Sequence, residues 1–523
     1  MSQRATASIA KFAGVVAMGA VLSKILGFLR ETTLASQFGA TFATDAYFMA
    51  MVIPTLLLMG VGPAVTTTLI PVFTDIDRRR GRSAAFSSVS VIINATALIA
   101  AGVMVAGMLL ARPIVRVVAP GFSGETYSLT VKLTVILFPI AVFSVITHSV
   151  TGVLHALGLF TVPALTGIVQ NVVIITSILV FGPKYGITAV AVGTSLGSLS
   201  TLLIQLPVLY GAGYRHRFVL DWRDRGLRQV GKLMGPIVAG TAASQAGTLV
   251  IRTLASRLPE GSITYLNYSQ RLVGLPTGVF GTALVTVLYP TMARLFAEDR
   301  SRFMQTFRRS VGVIFFTLAP MAAGLMILAS PVVRLAFERG AFTSAATVAT
   351  AASLTCLSVA IPFTTLTDLT NKAFYSAHNT MTPVAINMSG VAANVVVSLL
   401  LVGRLGHVGL AIGSAFQPIF TFFLGQRLLR RKVGGVNGYR LPVSVAKTLA
   451  AALIMSAAVV AVDPHLARVF SGSGVVRQAL RLAGSVATGG LAYVAAAALL
   501  RSGELSFAVD TVRERAARVR RRG

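Results

Sequence analysis

The sequence predicts an all-α integral membrane protein of about fourteen transmembrane helices, arranged as two six-helix lobes followed by two further helices. Three observations carry this. Of 523 residues, 54% are hydrophobic and only 12% charged, with a mean hydropathy of +0.78, whereas soluble domains carry roughly 25% charged residues. Apolar runs of about 20 residues, the length that crosses a bilayer, recur from end to end. Similar segments also return at a spacing of 220 residues, the mark of an internal repeat.

In order, the spans lie near residues 8–35, 42–73, 84–112, 128–156, 160–182, 187–211, 229–257, 262–293, 307–330, 344–374, 380–403, 408–430, 441–462 and 476–500. The first is too long, and followed too soon by others, to be a cleaved signal peptide. Pro54, Gly60, Gly62 and Pro63 interrupt the second span, and Pro276, Gly278 and Gly281 the eighth, which allows bent helices there. The expected domains are a lobe over 1–220, a second over 221–434, two additional helices over 435–500 and a basic cytoplasmic tail over 501–523.

A net charge of +30 raises the question of nucleic acid. Its distribution answers differently. With the N-terminus inside and spans alternating, the inside connections hold Arg78 to Arg82, Arg215 to Lys232, Arg294 to Arg309 and Arg427 to Arg440. With the tail, Arg501 to Arg522, these segments contain 27 of the 46 basic residues. The positive-inside rule then puts both termini in the cytoplasm. The surplus serves orientation and contact with anionic lipid rather than nucleic acid. The single cysteine, Cys356, allows neither an intrachain disulfide nor a cysteine metal site. No cofactor or metal is expected.

The repeat is visible in pairs. ETTLASQFG at 31–39 returns as IRTLASRLP at 251–259, and YGITAVAVGTSL at 185–196 as LGHVGLAIGSAF at 405–416. The same shift aligns Gly186 with Gly406 and Gly193 with Gly413, and also Pro163 in LGLFTVPALTGIVQN with Pro383 in HNTMTPVAINMSGVAAN. Six spans per repeat leave both copies in the same orientation. Parallel repeats of this kind typify secondary transporters, whose substrate site lies between the halves near the midplane.

The first span carries the sharpest functional signal, SKILGFLRE at 23–31. Ser23, Gly27 and Arg30 share one helical face, and Lys24, Phe28 and Glu31 the adjoining stripe. Gly27 leaves room there for a neighbouring backbone or a ligand. Asp45 at the start of the second span, Arg252 in the seventh and Arg271 in the eighth add further charges. Facing lipid, each would cost a few kcal/mol, so all are expected to face the space between lobes. Arg30 has two candidate partners, Glu31 and Asp45. Across the set the cations Lys24, Arg30, Arg252 and Arg271 outnumber the acids, and a guanidinium surplus suits an anion, phosphate oxygens above all. Asp368 is the candidate for coupling to a cation or proton, with pairing to Lys372 one turn later the preferred reading. His148 and His155 read as packed or hydrogen-bonded residues.

Together, SKILGFLRE, FGATFATDAYFMAMVIP, LASRLPEGSITYLNYSQRLVGLPTGVFGTALVTVLYP, FERGAFT and FYSAHNTMTP resemble the MurJ (MviN) family of lipid II flippases. That family sits within the multidrug/oligosaccharidyl-lipid/polysaccharide exporter superfamily. The resemblance runs over roughly residues 10 to 430. It implies fourteen helices in two lobes plus two, and movement of an undecaprenyl-pyrophosphate-linked peptidoglycan precursor between leaflets. It maps the family's first-helix motif onto Ser23, Lys24, Gly27 and Arg30, its second-helix acid onto Asp45 and its eighth-span Arg onto Arg271.

The chain departs from the family pattern in four places. Lys24 stands where many members have Arg, keeping charge without the fork. PTLLLMG after the second-span proline has no basic residue where many do. Arg252 stands where some relatives carry an acid, which argues against a sodium site, and no long cytoplasmic extension follows span fourteen.

The expected function is therefore a flippase for lipid II, working as a monomer in the bacterial inner membrane. A paralogue for another polyprenyl-linked oligosaccharide is one alternative, and a MATE-like drug or cation exporter another. The exporter would want an acid-lined cavity, the opposite sign to that found. A membrane enzyme is disfavoured because Glu125, Glu260, Glu338 and Asp463 lie scattered in the outer connections and do not converge.

Overall fold

The computed structural model describes residues 3–58, 61–433, 441–470, 472 and 474–506. Gly60 and the tail from residue 507 onward lie outside the described residues. All regular elements among the described residues are helices. They are α1 (Gln3–Phe38), α2 (Phe42–Leu58), α3 (Val61–Arg80), α4 (Arg82–Leu109), α5 (Ala111–Val118), α6 (Gly124–Leu137), α7 (Ile140–Ala156) and α8 (Thr161–Thr176). After a π-helical turn at Ser177–Phe181 come α9 (Gly182–Tyr185), α10 (Ile187–Leu203), α11 (Leu206–Gly211), α12 (Arg225–Ala255) and α13 (Ser262–Pro276). A second π-helical turn, Thr277–Gly281, leads to α14 (Thr282–Glu298), α15 (Arg300–Ile327), α16 (Ala329–Phe337), α17 (Ser344–Ser358) and α18 (Ala360–Ser376). The chain ends with α19 (Met381–Leu405), α20 (His407–Val433), α21 (Leu441–Val469) and α22 (Val475–Leu499).

Ten helical segments among the described residues are long and apolar enough to cross a membrane, or eleven if α17 and α18, bent by 40°, form one span. The expected count of fourteen is therefore not reached by length and composition alone. The expected spans that do not meet the criterion are those containing α1, α2 with α3, and α12. α1 and α12 carry Lys24, Arg30, Glu31 and Arg252, and charge lowers apolarity over a window.

The repeat is written into the helix boundaries. Starts of α2, α6, α7, α8 and α10 at residues 42, 124, 140, 161 and 187 recur 220 residues later as the starts of α13, α17, α18, α19 and α20. Gly186 and Gly406, aligned by sequence, each precede a helix and both have positive φ, 62° and 56°. Gly193 and Gly413 are both close-approach sites, where a Cβ would fall 2.3 Å from Ser177 Cβ and 2.1 Å from Ser398 Oγ respectively.

Two compact units are present. One comprises the chain up to Thr264 with Arg339–Thr343, and the other the described residues from Tyr265 on, without that loop. The first unit packs Leu69, Val72 and Phe73 of α3 against Phe86 and Ile92 of α4 and Val150 and Leu154 of α7. The second unit's core is Phe303, Phe307, Ile314 and Leu318 of α15 against Leu369 and Phe374 of α18. The last two helices meet through Met455 and Tyr493, and the Tyr493 hydroxyl donates to the Phe316 carbonyl at 2.7 Å. Arg481 is paired with Asp463 at 2.5 Å, which also accepts from Ser485, so these charges are satisfied side chain to side chain. Large apolar residues such as Leu400 and Leu491 stay about three-quarters exposed, as lipid-facing residues must.

No atom lies near an added Cβ at Gly186 or Gly406, so only backbone strain opposes alanine there. Gly186→Ala and Gly406→Ala should each cost about 1–3 kcal/mol and lower the melting temperature of the purified protein similarly. An unchanged melting curve for either would break the equivalence of the two positions.

Candidate functional site

Small residues on α1 determine how its charges are presented. Gly19, Ser23 and Gly27, at four-residue steps, form a small-residue stripe of the kind that lets membrane helices approach closely. A Cβ on Gly19 would lie 3.2 Å from Leu165, and one on Gly27 3.6 Å from Asn171. Asn171 of α8 donates to the Ser23 carbonyl at 3.2 Å and to the Gly167 carbonyl at 2.8 Å. The space beside Gly27 is thus lined by a neighbouring helix, and Ser23 and Gly27 seat α1 on α8.

The charges follow around that helix. Lys24 is exposed. Arg30, with 18% of its side chain exposed, donates from Nη2 to Glu31 Oε1 at 2.7 Å, and Glu31 is buried. Of the two candidate partners for Arg30, Glu31 is therefore the one engaged.

Asp45 does something else. Its side chain is buried, and Oδ2 accepts the Gly261 amide at 2.7 Å. Oδ1 accepts the Thr264 amide at 2.8 Å and the Thr264 hydroxyl at 2.6 Å. The Gly261 amide immediately precedes α13 and the Thr264 amide lies in its first turn, where amides have no intrahelical acceptor, and a carboxylate there also complements the helix dipole. The favour is returned, since Glu260 Oε1 accepts the Phe42 amide at the start of α2 at 2.7 Å. Two helix starts 220 residues apart thus exchange carboxylate caps.

A second reciprocal contact adjoins the first, and the sequence reading did not anticipate it. The Ala341 amide donates to the Ser36 carbonyl at 2.8 Å, and the Gly121 amide to Ser256 Oγ at 3.3 Å. Ser36 and Ser256 are 220 apart, as are Gly121 and Ala341. Both joints are tight. A Cβ at Gly340 would sit 2.2 Å from the Ser36 carbonyl oxygen, and one at Gly121 2.2 Å from the Ser256 carbonyl oxygen. The available signal was FERGAFT read together with the ASQFG/ASRLP repeat.

Arg252, half-buried, lies one turn before Ser256, on a helix end fixed by Thr253, which donates to the Val118 carbonyl at 2.9 Å. Lys24, Arg30, Glu31, Asp45 and Arg252 all belong to the first unit, and Arg271 and Asp368 to the second. Arg271 and Asp368 are exposed. Lys372 does not pair with Asp368 as expected. Its Nζ lies over the rings of Tyr289 and Tyr375, 5.3 and 5.8 Å from their centroids, a cation–π arrangement. His148 is packed on Gly62 with Nδ1 3.2 Å from the Thr66 hydroxyl, as its sequence context suggested.

This is the architecture of a polytopic transporter. A solved multidrug resistance MATE family transporter of the MOP superfamily, inward-facing, shares the fold with a TM-score of 0.66 and 14% identity, covering 79% of this chain and 94% of that one. A solved lipid II flippase MurJ in an inward closed conformation aligns with a TM-score of 0.77 and 22% identity, covering 92% of this chain and 98% of that one. At the level of sequence, the family model for lipid II flippase MurJ matches residues 34–479. The probable lipid II flippase MurJ of Vibrio cholerae is 30% identical over 509 residues, covering 93% of this chain and 95% of its own. The lipid II flippase MurJ of Burkholderia cenocepacia is 28% identical over 421 residues, covering 78% and 81% respectively. The chain belongs to the lipid II flippase MurJ family.

The two caps differ in burial, with Asp45 enclosed and Glu260 exposed, so their loss should not cost the same. Asp45→Ala should destabilise the purified protein by about 1–3 kcal/mol, because it orphans buried donors. Glu260→Ala should cost less than about 1 kcal/mol, since water can replace it. Thermal unfolding of the two variants side by side checks this, and equal losses would contradict the capping account.

Proposed function

We propose that this protein carries lipid II, an undecaprenyl-pyrophosphate-linked peptidoglycan precursor, from the cytoplasmic to the outer leaflet of the bacterial inner membrane. It does so by alternating access, as a monomer without chemical turnover, with fourteen spans and both termini in the cytoplasm. Membership of the MurJ family across most of the chain carries this reading. The charge pattern supports it. Asp45 is engaged by amide and hydroxyl donors rather than by an arginine, and Glu31 is one carboxylate beside Arg30. Lys24, Arg30, Arg252 and Arg271 therefore leave a basic excess at membrane depth. An excess of that sign suits a pyrophosphate and opposes a cationic drug.

Within this reading Lys24, Arg30, Arg252 and Arg271 receive the head group. Ser23, Gly27 and Glu31 hold α1 and its guanidinium in place, and Asp45 fixes the helix start beside them. Arg30 contributes a planar fork suited to two phosphate oxygens, whereas Lys24 contributes a compact point charge.

In a strain depleted of its own lipid II flippase, the wild-type chain should restore growth. Arg30→Ala and Arg271→Ala, present at equal membrane levels, should not. Each lost charge-assisted contact is worth about 1.5–3 kcal/mol, or roughly ten- to a hundredfold in transport. Arg30→Lys should retain partial rescue. Full rescue by both alanine variants would remove the head-group assignment. Failure of well-expressed wild type would point instead to another polyprenyl-linked glycan.

A further inference from the structure

The connection between α11 and α12, residues 212–224, is not used by the transport reading, yet it is tightly built. Tyr214 is buried, with its hydroxyl 2.9 Å from Ser90 Oγ and 2.8 Å from His216 Nδ1. Asn94 of α4 donates to the carbonyls of Arg217 and Val219 at 2.8 and 3.0 Å. Ser88 donates to Asp224 at 2.8 Å, and Asp224 in turn caps α12 by accepting the Leu227 amide at 2.9 Å. The connection is thus pinned along the first part of α4.

The side chains from Arg217 to Arg223 are turned away from the protein. Phe218 is 94% exposed and Trp222 52%, with Val219 and Leu220 nearly half exposed. Arg215, Arg217, Arg223, Arg225 and Arg228 surround them, all exposed. In water, four neighbouring apolar residues so exposed would be unfavourable, at roughly 25 cal/mol per Å².

The position along α4 supplies the missing surroundings. α4 has 28 residues, about 42 Å at 1.5 Å per residue, against about 30 Å of hydrocarbon. Asn94 is about 18 Å along from Arg82, so with the surplus of about 12 Å at that end it lies roughly 6 Å past the hydrocarbon boundary, within the roughly 5–10 Å that interfacial anchors reach. One turn further, Leu98 and Ile99 are 54% and 56% exposed, the start of a lipid-facing surface. Phe218 and Trp222 therefore continue that surface at head-group level, where aromatic rings are favoured.

We propose that residues 215–225 form a membrane-surface anchor that binds anionic phospholipid. Phe218 and Trp222 lie at the head-group/acyl boundary, and Arg217 and Arg223 hold lipid phosphates. Aromatic insertion and basic side chains together are the two contributions that strengthen interfacial binding, with about 1 kcal/mol per basic residue near an anionic surface. The inference depends on the chain spanning a membrane and not on what it carries.

Trp222 is the only tryptophan of the chain, so the native protein reports on its own anchor. The full chain is reconstituted in phosphatidylcholine bilayers with and without phosphatidylglycerol, carrying acyl chains brominated at shallow or deep positions. Trp222 emission should be blue-shifted, quenched more by shallow than by deep bromines, and protected from acrylamide. Phosphatidylglycerol should strengthen both quenching and protection, and that dependence should disappear in Arg217→Gln/Arg223→Gln. A Trp222 open to acrylamide and untouched by brominated lipid would overturn the proposal, leaving the patch as a surface for a soluble partner. So would quenching that ignores phosphatidylglycerol.

Discussion

A charge taken out of water must be answered by another group, and the first unit is organised by that requirement. A buried amide or hydroxyl left without a partner costs about 1–3 kcal/mol, and a lone buried charge far more. Asp45 turns this cost into a fixed joint. Its carboxylate is enclosed, but Gly261 and Thr264 supply three donors to it, and those amides had no acceptor of their own within α13. Neither group would be stable at that place without the other. The mirror contact from Glu260 to Phe42 holds the start of α2, and the glycine joints at Ser36 and Ser256 hold the C-terminal ends of the preceding helices, α1 and α12. Asp45 thus spends its hydrogen-bonding capacity on a helix start rather than on an arginine.

Much of this was legible from residue order, for identifiable reasons. Apolar run length reports spans directly, because the bilayer has one thickness and helices one rise. The repeat was legible because proline and glycine mark backbone geometry rather than surface chemistry. Gly186 and Gly406 keep the same positive φ, a conformation that side chains resist. The α1 charges stood out because polar groups are rare in an apolar helix. What residue order does not carry is direction. Gly27 read as room for a backbone or a ligand, and only packing shows Asn171 beside it. Asp45 read as a charge near cations, yet its partners are backbone amides, which carry no residue-type signal. Lys372 had an acid one turn away in sequence and settled over Tyr289 and Tyr375 instead, and Tyr289 is distant along the chain. The span count suffered for a related reason. Charges within α1 and α12 lower the apolarity of any window that contains them, although the segment bearing Arg271 is still apolar enough to span.

The two copies of the repeat share their scaffold but not their charges, and this asymmetry bears on function. Stepping 220 residues from Gly27 arrives at Gly247, but Lys24 meets Ser244, Arg30 meets Val250 and Glu31 meets Ile251. In the other direction Arg252 answers to Thr32 and Arg271 to Met51, while Asp45 answers to Tyr265. Positions that govern close approach and helix starts have been kept, whereas each of these six charged positions has diverged. A symmetric carrier of a symmetric solute would have no use for such divergence. A lipid-linked glycan is itself asymmetric, with a compact polyanion joined to a bulky polar group on one side and a hydrocarbon chain on the other. A scaffold that preserves two equivalent sets of bends can still change shape as a repeat protein does, while under the proposed function unlike charges on the two copies would distinguish one end of such a molecule from the other.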